Sequence, residues 1–220
     1  MSDFWDYFET ISNALLQREA SFRKIFKHLD SIQEPVIIVE TGCVRNSDPW
    51  ALTGEGHSTI LFDKYVQARA DGSKVFSVDI NEQAVTICKT LVSDRVTVHA
   101  GDSVPYLYRL SREIAQSGNM ISLLYLDSFD VDYEYWFPSA AHHLKELLSA
   151  WRAVDANTLV VVDDCPTTAN LIGDDKGSYQ FDRFFKPRVG GKGRLIAQYA
   201  DQVGAEMVFS HYQHAWKGFC

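Results

Sequence analysis

The sequence predicts an α/β protein built on a doubly wound, mostly parallel seven-stranded sheet with an antiparallel C-terminal strand pair. Three observations lead there. Short β-branched runs recur at residues 36–41, 74–80, 95–100, 121–126 and 158–162, separated by stretches of helical periodicity, and parallel neighbours require such crossover helices. The first run, Val36-Ile-Ile-Val39, is apolar at consecutive positions, as in a strand covered on both faces. Carboxylates close the runs at Glu40, Asp79, Asp127 and Asp163, along the edge where such sheets bind ligands.

Composition narrows the classes. A chain of 220 residues with 46% apolar side chains fills one substantial core, and no Pro/Gly/Ser-rich linker divides it, so a single domain is expected. A formal charge of -8 argues against nucleic acid as partner, because phosphate neutralisation needs clustered Lys and Arg. Cys43, Cys88, Cys165 and Cys220 are too scattered for a zinc pattern or a disulfide framework, which fits a reducing compartment. No apolar run approaches the roughly 18 residues of a membrane span, and the first residues lack a secretory pattern. A soluble, cytoplasmic protein without a membrane partner is the expectation.

In chain order, residues 1–34 form a helical extension. Phe4, Tyr7, Phe8, Ile11 and Leu15, then Phe22, Ile25, Phe26 and Leu29, fall at helix-face spacing; such a stripe serves core packing or a homodimer contact more often than a lid over substrate. The central strand follows, with Glu40-x-Gly42 at its end, glycine allowing backbone to approach a ligand. The long loop from Cys43 to Gly56 contains Asp48-Pro49-Trp50, and loops of this length tend to be functional or mobile. Ser58 or Thr59 caps the next helix, which carries Ile60, Leu61, Phe62 and Tyr65.

The second strand ends at Asp79, and Asn81 caps a helix to Leu91. The third ends in Gly101-Asp102-Ser103, with a helix from Val104 to Ser117 whose Pro105 suits a first turn. The fourth closes on Asp127-Ser-Phe-Asp130-Val-Asp132, followed by a helix through His142, His143, Leu144, Leu147, Leu148 and Trp151. The fifth ends in Asp163-Asp164-Cys165. Residues 166–192 read as a Gly- and charge-rich loop region with a short element near Phe181 to Phe185. Residues 193–220 read as a helix and the terminal strand pair.

Glu40-x-Gly42, Asp79 at the second strand end, Gly101-Asp102-Ser103 and Leu126-Asp127 together resemble the class I methyltransferases, which use S-adenosylmethionine. The resemblance spans about residues 36–165. It implies that Glu40 and Gly42 line the methionine end of the cofactor, that Asp79 holds the ribose hydroxyls and that Asp102 and Ser103 border the adenine. Ser58 and Asp127 join this cofactor-binding set. An acidic residue ending the second strand also follows from the ligand geometry of βαβ folds in general, with a solvated strand-end Asp as the bland alternative. A nicotinamide-dependent oxidoreductase is the rival on the same sheet. Gly42, however, is not followed by Gly-x-x-Gly; the next glycines are Gly54 and Gly56, which leaves a pyrophosphate turn poorly supported.

A second cluster joins Asp127 to the pair Asp163-Asp164 at the ends of strands expected to be neighbours. Three converging carboxylates repel one another unless a cation relieves them, and oxygen-only ligands select magnesium, manganese or calcium. This arrangement is similar to the metal-dependent O-methyltransferases of the catechol and macrolide-sugar type, the all-Asp version looking more like the sugar branch. Strand-end carboxylates that cap following loops are the alternative. The resemblance implies metal-assisted O-methylation of a small hydroxylated acceptor, a saccharide first and a catechol-like phenol second. A weakly acidic sugar hydroxyl then calls for a general base. His142, His143 and Asp130 are the candidates, against ordinary helix histidines and a loop carboxylate.

Overall fold

Apolar periodicity places the elements, and the sheet register places the site. The computed structural model of the chain describes residues 2–48, 52–53, 57–131, 136–165, 169–173, 179–183 and 189–220, the segments 169–173 and 179–183 by backbone alone. Strands β1 (Ile37–Thr41), β2 (Lys74–Asp79), β3 (Val96–Ala100), β4 (Leu123–Leu126) and β5 (Leu159–Val162) form the parallel part of a seven-stranded sheet. Its order is β3-β2-β1-β4-β5-β9-β8, where β8 (Glu206–Ser210) and β9 (His214–Lys217) are the C-terminal pair and β9 runs antiparallel to β5. The expected doubly wound sheet with its antiparallel terminal pair is what forms.

Both faces are covered, which explains the unbroken apolar runs. Helices α1 (Ser2–Ile11), α2 (Glu19–Asp30), α3 (Ser58–Arg69) and α4 (Glu82–Leu91) share one face. Their Phe4, Phe8, Phe22, Phe26, Phe62 and Tyr65 bury against Ile38, Val75, Leu123 and Tyr125 of the sheet. Helices α5 (Ser103–Gln116), α6 (Trp136–Ala150) and α7 (Arg194–Val203) cover the other, with Leu107, Leu147 and Ile196 against Val39, Leu124 and Val160. The aromatic stripe of the N-terminal helices is therefore core. Each fully buried Phe contributes on the order of 2–3 kcal/mol.

Three elements differ from the sequence expectation. A 3-10 segment (Ser12–Arg18) joins α1 to α2 with a kink at Leu16, φ 48°, which turns the chain so that Arg18 points at the sheet edge. The Ser58 or Thr59 cap is not made. His57, at φ 45°, precedes the helix without a side-chain cap, because both hydroxyls bond Glu40 instead. The loop region with a short element expected near Phe181 to Phe185 contains an antiparallel pair, β6 (Ala169–Gly173) and β7 (Tyr179–Arg183), the second overlapping that element. Pro49, Trp50, Gly54, Gly56 and Asp132, named from the sequence, lie outside the described residues.

Candidate active site at the carboxyl edge of the sheet

Register brings the strand ends into one row. Thr41 pairs with Val78 and with Leu126, and Leu126 pairs with Val162. The ladder runs one residue further, through Gly42 N–H to Val78 O, Asp127 N–H to Thr41 O and Asp163 N–H to Leu126 O, at 2.8, 3.0 and 3.1 Å. Gly42, Asp127 and Asp163 thus stand side by side on the rim. Gly42 has φ +81°, and a Cβ there would lie 2.6 Å from the carbonyl oxygen of Asp127, so only glycine lets the loops after β1 and β4 close up.

Two chambers open above this row. A cleft of about 350 Å³ is walled by Gly42, Cys43, His57, Ser58, Asp79, Asp127, Asp130 and Asp164, with Arg18, Arg45 and Tyr212 also on its lining. A slot of about 270 Å³ is walled by Asp79, Ile80, Asp102, Ser103, Phe129 and His142. Asp79 and Ser128 line both. Asp79 accepts the backbone N–H of Cys43 at 3.1 Å and of Asn81 at 2.8 Å, which fixes its carboxylate between the chambers while leaving acceptor positions for a ligand. Ile80 and Phe129 are 77% and 45% exposed; large apolar side chains left bare on the walls of a slot suit a flat apolar guest.

Below the floor sit two buried carboxylates, one on β1 and one on α6, which meet the successive β1 residues Glu40 and Thr41 on opposite faces of the strand. Glu40 accepts from Ser58, Thr59 and Ser77 at 2.5, 2.7 and 2.7 Å, and burial pushes its carboxyl up to about 7 despite those hydroxyls. It is fully buried and does not reach the cleft lining, so the expected direct contact with the methionine end is corrected: Glu40 anchors the start of α3. Glu146 of α6 accepts from Thr41, Ser103 and Ser128 at 3.1, 2.5 and 2.5 Å. Burial opposes its charge, but His142 and His143 beside it and these hydroxyls hold its carboxyl low. Nothing in the sequence marked Glu146, since a helix-interior Glu reads as surface.

The remaining sequence candidates separate. Ser58 and Gly42 line the cleft, Ser103 and Asp102 the slot. Asp102 also caps α5 by accepting the Val104 N–H at 2.9 Å. His142 lies on the slot, 3.3 Å from Glu146 and 3.1 Å from Ser103 Oγ, and the Glu146 carboxylate raises its pKa. It belongs to the opposite chamber from the acidic cleft. His143 is fully buried, with Nδ1 2.7 Å from the Ser139 carbonyl, and burial holds it near 4. The assignment of His143 as base is corrected: its ring is sealed in the core and lines neither chamber. Asp130 lines the cleft near its mouth, exposed, 3.5 Å from Arg45.

The three aspartates are linked to one another through cations of the chain itself. Lys192 Nζ lies 2.5 Å from Asp127 Oδ1 and 2.9 Å from Asp164 Oδ2. Arg18 Nε donates to Asp163 Oδ2 at 2.8 Å, and its Nη2 donates to Asp164 Oδ1 at 3.2 Å. Tyr125 and Tyr212 add hydroxyl donors to Asp163 and Asp164 at 3.0 and 2.5 Å. Burial pushes the Asp127 carboxyl up, against the pull of Lys192. Burial also works against the Lys192 charge, yet the surrounding carboxylates hold its ammonium well above the usual lysine value. Asp164, burial notwithstanding, is pulled down to about 2 by Lys192 and Arg18.

This donor set does not fit a divalent cation, which corrects the metal-ligand assignment of Asp127, Asp163 and Asp164. A dication needs the lone pairs that Lys192 and Arg18 already hold, and one placed about 4 Å from an ammonium is repelled by about 8 kcal/mol at an effective dielectric near 20. Among the described residues no group of three or more His, Cys, Asp or Glu is arranged to hold a metal. The sequence reading missed Arg18 and Lys192 altogether.

No protein-family model and no curated protein sequence matches the chain. Solved structures are similar to it. An S-adenosylmethionine-dependent methyltransferase from Anabaena variabilis ATCC 29413 has TM-score 0.50 at 10% identity, over 98% of this chain and 94% of that one. LepI in complex with S-adenosylmethionine gives 0.47 at 14%, over 88% of this chain and 46% of LepI, so the chain spans less than half of LepI's length. DhpI in complex with S-adenosylhomocysteine gives 0.44 at 9%, over 97% and 94%. The Anabaena likeness, together with the sheet order, makes the architecture a Rossmann-like methyltransferase fold.

Proposed function

We propose that the chain is an S-adenosylmethionine-dependent methyltransferase that methylates a hydroxyl of a small polar acceptor, without help from a divalent ion. The observation that carries this is Asp79, set at the end of β2 on the shared wall of two chambers. A carboxylate there accepts both hydroxyls of a ribose, with the adenine in the slot between Ile80 and Phe129 and the amino-acid end in the cleft beside Gly42. Charge supports the same choice. The cleft is lined by Asp79, Asp127, Asp130 and Asp164 against Arg18 and Arg45, which favours a cationic donor and opposes the pyrophosphate of a nicotinamide dinucleotide.

When bound, S-adenosylmethionine supplies a methyl group already activated on a sulfonium. The chain then has three tasks: to hold the donor, to align the acceptor and to accept its proton. Asp79, Ile80 and Phe129 do the first. The cleft mouth, with Arg45, His57 and Asp130, offers donors and acceptors to a hydroxylated molecule. The described lining is rich in carboxylates and also carries Arg18 and Arg45, hydrogen-bonding groups that suit the several hydroxyls of a saccharide. Asp130, exposed at that mouth, is the carboxylate placed to take the acceptor proton.

The test is calorimetric titration with S-adenosylhomocysteine and with NADH, followed by transfer of labelled methyl from S-adenosylmethionine to a panel of sugars and catechols. Binding of the homocysteine product with label in a sugar supports the reading. Binding of NADH alone moves the chain to the oxidoreductases.

A further inference from the structure

We propose that Lys192 and Arg18 are resident counter-cations standing where a divalent ion would otherwise bind, so that the Asp127, Asp163 and Asp164 rim works as a metal-free acidic wall. The inference deepens the methyl-transfer reading and rests on it only for what the wall faces; the cation question stands on geometry.

Every oxygen of the strand-end pair is engaged. Asp163 Oδ1 accepts the Asp164 backbone N–H at 2.7 Å, while Oδ2 accepts Arg18 and Tyr125. Asp164 Oδ1 accepts Tyr212 and Arg18, and Oδ2 faces the Lys192 ammonium. Lys192 is not a surface lysine folded into a vacancy. Its side chain is 1% exposed, and its backbone is fastened to the turn below: Lys192 N–H donates to Asp164 O at 3.3 Å and Gly193 N–H to Cys165 Sγ at 3.1 Å. Glycine eases both flanking positions. Gly191 has φ +51°, and a Cβ on Gly193 would lie 2.6 Å from Cys165 Sγ. The turn it seats against is itself unusual, with Asp164 at φ 49°, a conformation that non-glycine residues seldom hold without a reason.

Arg18 closes the cluster from the other end of the chain. Its side chain is 6% exposed and its guanidinium lies over the Tyr212 ring at 4.8 Å, delivered there by the kinked 3-10 segment. Two cations against three carboxylates leave at most one formal negative charge, carried when Asp127, whose carboxyl burial pushes up, is ionised beside Lys192. That residue of charge, on a rim whose Asp127 and Asp164 line the cleft, suits a monocation such as a sulfonium or ammonium. A dication has to displace Lys192 first.

The experiment is Mn²⁺ titration of the full-length protein, followed by the electron paramagnetic resonance of free Mn²⁺, on wild type, Lys192→Ala and Lys192→Arg. Wild type and Lys192→Arg are expected to leave Mn²⁺ free to millimolar concentration, while Lys192→Ala binds one equivalent at least tenfold tighter. If Lys192→Ala is unfolded by circular dichroism, Lys192→Gln takes its place. One Mn²⁺ bound at micromolar concentration by wild type overturns the inference, as does a folded Ala or Gln variant that stays blind to the ion. Calorimetry with S-adenosylhomocysteine on the same wild-type sample keeps the two readings apart: uptake of both ligands removes the counter-cations and keeps the transferase, and uptake of neither does the reverse.

Discussion

Replacing Gly42 by alanine tests the step on which the cleft depends, the close approach of the loops after β1 and β4. Gly118, just past α5, is the matched control: φ is +77° there and +81° at Gly42, but a Cβ on Gly118 meets nothing within 4 Å whereas one on Gly42 lies 2.6 Å from Asp127 O. Both substitutions force an alanine into the left-handed region, at about 1–2 kcal/mol. Only Gly42→Ala must also push backbone away from backbone, which overpacking data put at about 1–3 kcal/mol. Gly118→Ala is therefore expected to lose about 1–2 kcal/mol in urea unfolding and Gly42→Ala about 2–5. For a chain of this size that excess shifts Tm by roughly 2–4 °C per kcal/mol. Because Asp127 moves with the clash, Gly42→Ala should also weaken S-adenosylhomocysteine binding while Gly118→Ala does not. Equal stabilities for the two variants would show that the rim has room to spare and that the loop approach is not a constraint.

Three further outcomes are expected. Asp79→Asn, by weakening charge-assisted bonds to a ribose, should reduce S-adenosylhomocysteine affinity by about 1.5–3 kcal/mol, roughly 10- to 150-fold; unchanged affinity in calorimetry would take Asp79 out of the cofactor site. Arg18→Met leaves Asp163 buried without its cation and should cost about 3–5 kcal/mol of stability in denaturant, and a loss below about 1 kcal/mol would contradict the pairing. Burial holds the His143 imidazole near 4 in the fold, against an ordinary histidine value of 6.5. The unfolded chain therefore takes up the proton first, and stability is lost as pH falls from about 6.5 towards 4, by up to about 3 kcal/mol. His143→Gln should flatten that part of the stability profile; a slope unchanged from wild type would place the titration elsewhere.

The sheet was legible because period and burial agree. Val36 to Val39 is apolar at every position since helices cover both faces, and the parallel orientation of the strands follows from crossover helices between the runs. Asn81 could be named as a cap from its place before a helix, and its side chain does accept the Gln83 and Ala84 N–H groups. Ser58 and Thr59 had the same local signature, but the buried Glu40 carboxylate of the preceding strand outbid the helix end for their hydroxyls. His142 and His143 differ by one position on α6, and the 100° between them puts one on the slot and the other in the core; apolar spacing alone does not fix which.

The acidic rim shows where such reading stops. Asp127, Asp163 and Asp164 could be placed together from strand ends, because alignment of parallel strands is a consequence of register. What compensates them could not, since Arg18 lies 145 residues from Asp163 and Lys192 lies 65 from Asp127 in sequence. From sequence alone a cluster of three carboxylates reads as needing a divalent ion, whereas the charge that faces it comes from Lys192 and Arg18. The source of that charge is a question of which distant segment folds over the rim, and the kink at Leu16 and the Gly191-Lys192-Gly193 turn are the features that decide it. Each looks unremarkable in isolation, one an exposed leucine in a helical pattern and the other a short glycine-rich connection. They acquire meaning once the carboxyl edge of the sheet supplies the charge that both must satisfy.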